Sequence, residues 1–188
     1  MNISNEQNTA AGQIVDLIAG GTGATREIHP ETAIASCANL AGSLLLRSFK
    51  FDLTKHAPGT ILLSNEANEN FPKLVNILAA FLEKSGITLD KSKLGGAASN
   101  GGAEPKLKFL QSLELIQGRA IDIAQRSRLN FEEASISATL ATAFIVKECT
   151  RNIAPEIGFN VAVYSFIEGS KTVPPQLESK DKPWYKLW

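Results

Sequence analysis

Apolar residues recur along this chain mostly every three or four positions, the spacing of helices that bury one stripe. Over residues 4–19 the stripe is Ile14, Leu17 and Ile18; Ser4 with Gln7 three positions on makes a capping-box pattern, and Gly20 supplies a stop. A second helix opens at Pro30, a favoured first-turn residue, and runs to about residue 49 on Ile34, Cys37, Ala38, Ala41, Leu44 and Leu45. Its small residues, among them Ala33, Ala35, Gly42 and Ser43, let another backbone approach closely, which places it at the centre of the fold.

The period then changes to two. Lys50-Phe51-Asp52-Leu53 alternates and Thr60-Ile61-Leu62-Leu63 is β-prone, with Pro58 and Gly59 between them as turn residues, so a small hairpin is expected here. Ser64 or Asn65 caps a short turn, and Pro72 restarts or kinks a helix that continues to Ser85. Ile87-Thr88-Leu89 reads as a short third strand. Later helices are expected from Pro105 to about residue 128, from an Asn130/Glu133 capping box to about residue 150, and from Pro155 to about residue 170. The last should turn Ile157, Val161, Tyr164 and Ile167 inward.

These elements make a mainly α protein: one helical domain spanning 1–188, of about six helices, with a small β-hairpin inserted after the second helix. A flexible Gly-rich loop is expected at about 93–104, and an irregular aromatic tail broken by prolines at about 172–188. A chain of 188 residues can bury roughly 70% of the surface it exposes when unfolded, so the core needs no staples.

Charge removes some classes of function. Lysine plus arginine and aspartate plus glutamate both number 19, so no global field draws nucleic acid or an anionic membrane. No apolar run approaches the ~20 residues of a membrane span, and the polar start lacks the features of a signal peptide. The two cysteines, Cys37 and Cys149, fall in apolar helical stretches and read as reduced, buried thiols. The expectation is a cytoplasmic protein without nucleic-acid or membrane partners, with self-association as its candidate partnership.

The stretch AGGTGATREIHPE, residues 19–31, has the glycines of a nucleotide-binding loop but not its setting. A dinucleotide site needs a strand before the glycines and a helix starting on them. Here a helical stripe precedes, Arg26 stands where a third small residue belongs, and Pro30 delays the next helix. The stretch reads as a connection, and no cofactor is expected.

Few residues offer chemistry. His29 and Glu31 flank Pro30 and could serve a ligand, or could simply suit a helix start, where an acid is electrostatically favoured. Their spacing matches no metal motif, so no metal site is assigned. His56 falls in a turn. The carboxylate pairs Glu132/Glu133 and Glu66/Glu69 sit near helix starts, and Glu114 and Asp122 are too far apart along one helix to share a proton. Catalytic residues are left unassigned. A pocket near the start of the second helix and the 64–68 turn would use His29, Glu31, Asn65 and Asn68. The tail KPWYKLW presents Trp184, Tyr185 and Trp188 as candidate partner-binding residues.

The segments IHPETAIASCANLAGSLLLRSF, GTILLSNEANENFPKLV and IAPEIGFNVAVYSFIEGSKTVPP together resemble a group of uncharacterised bacterial proteins of about this length, a domain of unknown function. The resemblance lies in a His-x-Glu-Thr start, the triplet Leu40-Ala41-Gly42, and the SNEAN turn, which lacks the group's Gly and Asp. It implies a mainly helical cytoplasmic bacterial protein and no activity. The expected role is a non-enzymatic soluble binding or assembly protein, self-associating through the small-residue helix or the aromatic tail. The alternative is an enzyme or small-ligand-binding protein using the pocket above.

Overall fold

The computed structural model describes residues 3–21, 29–95 and 104–177. Within them the chain forms α1 (Asn5–Gly21), α2 (Pro30–Ser48), α3 (Asn65–Lys84), α4 (Phe109–Arg126), α5 (Phe131–Cys149) and α6 (Pro155–Lys171), with short 3-10 turns at Leu53–Lys55 and Lys91–Lys93. The Gly-rich loop falls largely on residues 96–103, and the aromatic end of the tail on 178–188; both lie outside the described residues.

Local chemistry sets the helix starts. Ser4 and Gln7 bond reciprocally at the head of α1, at 2.9 and 3.2 Å. Asn130 and Glu133 do the same at α5, both at 2.9 Å. His29 is extended (φ −71°, ψ 116°), as a residue before proline should be, and α2 begins at Pro30. The cap expected at Ser64 or Asn65 starts not a short turn but the whole of α3, since Ser64 Oγ accepts from Ala67 N at 3.1 Å and the helix runs on from Asn65. Pro72 then sits inside the helix.

α2 is buried on every side from Thr32 to Leu46. α5 runs antiparallel to it, since Cys37 Sγ donates to Ala138 O at 3.5 Å while Glu31 at its start lies by Cys149. α6 runs parallel to it: Ile34 lies by Gly158 and Asn39 by Gly169. Backbones touch at this crossing. A Cβ at Gly42 would lie 2.6 Å from Phe166 O, and one at Gly169 would lie 2.5 Å from Asn39 O. The polar residues of α5 lose little by burial, because Ser135, Thr139 and Thr142 donate to their own helix at 2.8 Å each.

Close approach to α2 also sets the rotation of α6. Its buried side runs through Gly158, Phe159, Ala162, Phe166 and Gly169, with Val161 at its margin. Ile157 and Ile167 are only half-buried and Tyr164 is exposed, so the inward stripe expected through these three is displaced. The glycines Gly158 and Gly169, together with Phe159 and Phe166, mark the side that faces the core.

The expected hairpin does not form. Asp52 caps the first 3-10 turn, accepting from Thr54 N and Thr54 Oγ1 at 3.3 and 2.5 Å, which bends the chain where a strand was expected. The β-prone run is extended, but its partner is the end of α6. Gly59 N donates to Val173 O at 2.8 Å, Val173 N to Thr60 O at 2.8 Å, and Leu62 N to Lys171 O at 2.7 Å. The result is one isolated antiparallel bridge between Ile61 and Thr172 and no sheet among the described residues. Residues 87–89 form no strand either. The protein is mainly helical, and no helix among the described residues is long and apolar enough to cross a membrane.

Candidate functional site

The His29 side chain is fixed by its neighbours. His29 Nδ1 lies 3.0 Å from Glu31 Oε2 and 3.5 Å from Thr32 Oγ1. Thr32 Oγ1 in turn accepts from Lys106 N at 2.9 Å, tying the approach to α4 onto the head of α2. An acid in the first turn of α2 meets the positive end of the helix, and that suffices to place Glu31.

Beside this corner, the C-terminal parts of α1 and α5 and the start of α2 line an apolar groove of about 240 Å³. Val15, Ile18 and Ala19 line it from α1, Pro30 and Ala33 from α2, and Phe144 and Ile145 from α5. Glu148, Cys149 and Asn152 form the polar end. Phe144 is 40% exposed, unusual for a phenylalanine in a helix otherwise so well covered. Lys147 Nζ stands 5.8 Å from the centre of its ring.

Burial, reinforced by the Glu31 and Glu148 carboxylates, pushes the Cys149 thiol up to about 11. Burial pushes Cys37 up to about 12, against a smaller opposing hydrogen bond with Thr142. Both thiols are therefore protonated near neutral pH, and neither has the thiolate character of a nucleophile. Both are free. Among the described residues no group of three or more His, Cys, Asp and Glu side chains could hold a metal ion.

Asn65 and Asn68 are exposed on the first turn of α3. α3 starts beside the end of α6, where Lys171 Nζ lies 5.7 Å from the Phe71 ring centre. His29 stands at the other end of the parallel α2/α6 pair, so the structure brings His29 and Glu31 together but not these two asparagines with them. His56 is exposed after the first 3-10 turn. Gly20 and Gly21 form the last turn of α1; Gly23 and Arg26 lie outside the described residues, as do Trp184, Tyr185 and Trp188.

The groove residues Val15, Ala19, Phe144 and Glu148 went unnoticed in the sequence. The one available signal was Phe144, a large aromatic off the buried stripe of α5.

A second polar cluster is structural. Arg47 Nη2 donates to Gln117 Oε1 at 2.8 Å and to Pro175 O at 2.7 Å, and Gln117 Nε2 donates to Pro175 O at 3.1 Å. These bonds hold the segment after α6 against α2 and α4. On the far side of α6, Asn160 accepts from Gly95 N at 3.1 Å and donates to Lys93 O at 3.0 Å, anchoring the second 3-10 turn.

No family model matches this chain, and no curated protein and no solved structure matches it either.

Proposed function

We propose that this is a soluble, non-enzymatic binding or assembly protein of the cytoplasm, and that its docking surface is the groove between α1, α2 and α5. The observation that carries the reading is the groove itself: an apolar recess with a partly exposed phenylalanine on its wall. Its size indicates the kind of guest. A cavity of ~150 Å³ takes benzene, whereas drug-sized ligands use roughly 300–1,000 Å³. About 240 Å³ suits one bicyclic aromatic or large branched side chain presented by a protein segment. Two free thiols fit a reducing compartment. The small-residue stretch of α2 is taken up inside the molecule against α5 and α6, which leaves the groove and the aromatic tail as means of association.

The test uses the 188-residue chain carrying Trp184→Ala and Trp188→Ala, which removes two large aromatic side chains able to compete. N-phenyl-1-naphthylamine, a neutral aromatic probe, should bind it saturably at one site. Adding Ala19→Phe should abolish that binding, because Ala19 is an exposed groove residue whose enlargement fills the recess without entering the core. Binding that does not saturate, or that ignores Ala19→Phe, overturns the reading.

A further inference from the structure

We propose that the groove is occupied by this chain's own residues 182–188, Lys-Pro-Trp-Tyr-Lys-Leu-Trp, with one indole seated between α1 and α5. The inference rests on the reading of the groove as a docking site and names the occupant. Three observations support it. The first is size: an indole is the kind of bicyclic ring that about 240 Å³ accommodates.

The second is charge. The groove ends in the Glu148 carboxylate, 48% exposed and 3.8 Å from Lys147 Nζ, with Glu31 also near Cys149, so two carboxylates face one lysine there. Lys186 stands two residues before Trp188, and Lys182 lies further back in the segment, so a docked aromatic brings cations to a rim with carboxylate to spare.

The third is reach. Arg47 and Gln117 hold Pro175 against α4. Ile116, the neighbour of Gln117, lies 3.4 Å from where a Cβ at Gly21 would stand, and Gly21 is two residues from Ala19 in the groove. Gln176 Nε2 donates to Leu53 O at 3.3 Å, so the segment leaves the described chain near the end of α2 opposite the groove, where Arg47 is 17 residues, about 25 Å of helical rise, from Pro30. The seven residues 178–184 extend at most about 23–25 Å and the eleven residues 178–188 about 36–40 Å, so Trp188 is the indole with length to spare. A tethered ligand also works at an effective concentration of order mM, which favours the chain's own segment over one from a second copy.

Trp184 and Trp188 are the two tryptophans of the chain, so its tryptophan emission reports on this segment alone. In the 188-residue protein the emission should lie to the blue of that of the free peptide KPWYKLW, with severalfold weaker acrylamide quenching. Ala19→Phe should return both to the peptide's values, and the exposed substitution Glu148→Lys should raise quenching toward them. Emission equal to the peptide's, or unmoved by Ala19→Phe, overturns the inference. Protection should persist on dilution with a monomeric mass in sedimentation. If it is lost as the mass falls from dimer to monomer, the occupant belongs to a second copy and the inference fails. If the naphthylamine probe binds the double tryptophan variant but the wild-type tryptophans behave as free peptide, the docking site stands and only its occupant is wrong. If the probe also fails, the docking site falls with it.

Discussion

A methyl group at Gly169 would stand 2.5 Å from Asn39 O, a distance no real Cβ contact shows. The opposing atom is backbone, so relief requires α2 and α6 to move apart. Gly169→Ala should therefore destabilise by about 1–3 kcal/mol, outweighing the ~0.5–1 kcal/mol that alanine ordinarily gains over glycine in a helix. Gly118 provides the control. It lies inside α4, and a methyl added there would meet nothing within 4 Å, so Gly118→Ala should stabilise by roughly 0.5–1 kcal/mol. Urea midpoints of the two variants should move in opposite directions; equal shifts would show that the α2/α6 crossing is not in backbone contact. Cys37 gives a pH prediction. Its thiol rises from an ordinary 9.0 to about 12 on burial, so the folded state binds its proton more tightly than the unfolded state. That contribution is complete below pH 9 and is lost as pH rises from 9 towards 12. Stability of the wild type should thus fall more steeply over this range than that of Cys37→Ala, whatever the offset between them at pH 7. Parallel curves would mean that the thiol ionises without cost. His29 and Glu31 were legible as a pair because residues two apart across a helix start meet by local geometry. The groove was not, because its walls come from three helices whose packing no single stretch encodes.

Among the elements, those with chemistry inside a few residues could be read directly. The Ser4/Gln7 and Asn130/Glu133 boxes and the Pro30 and Pro155 starts give α1, α5, α2 and α6 close to their observed bounds. The hairpin was misread because the β-prone run at 60–63 has its partner at Lys171–Val173, more than a hundred residues on, while Asp52 turns the nearer candidate aside. α3 shows a different conflict. Ser64 starts the helix and Pro72 sits inside it, where the ring denies Asn68 O its i+4 donor. An interior proline costs ~3 kcal/mol, and losing its restraint on the unfolded chain gives back ~0.4–1. Pro72→Ala should accordingly stabilise by about 2 kcal/mol, seen as a higher urea midpoint with unchanged slope. A fall in midpoint would mean that the local backbone geometry set by Pro72 is needed to lay α3 on α5 and α6.

For the whole molecule, the decisive arrangement is one apolar helix enclosed by partners from the far end of the chain. Composition and periodicity made its central place legible, since small residues along α2 call for close neighbours. They could not say that α6 would be the neighbour, nor that it would run parallel. That choice affects how the protein is made. Gly42 and Gly169 are 127 positions apart, so the side of α2 that meets α6 has no cover until synthesis has passed residue 170. At ~5–20 residues per second that interval lasts several seconds or more. Throughout it a nascent chain carries the largely apolar α2 with the side through Ile34, Asn39 and Gly42 lacking its final partner, an attractive target for a chaperone that holds apolar segments. Ribosome-bound chains halted before α6 emerges should thus retain such a chaperone, and the 188-residue chain released from the ribosome should not.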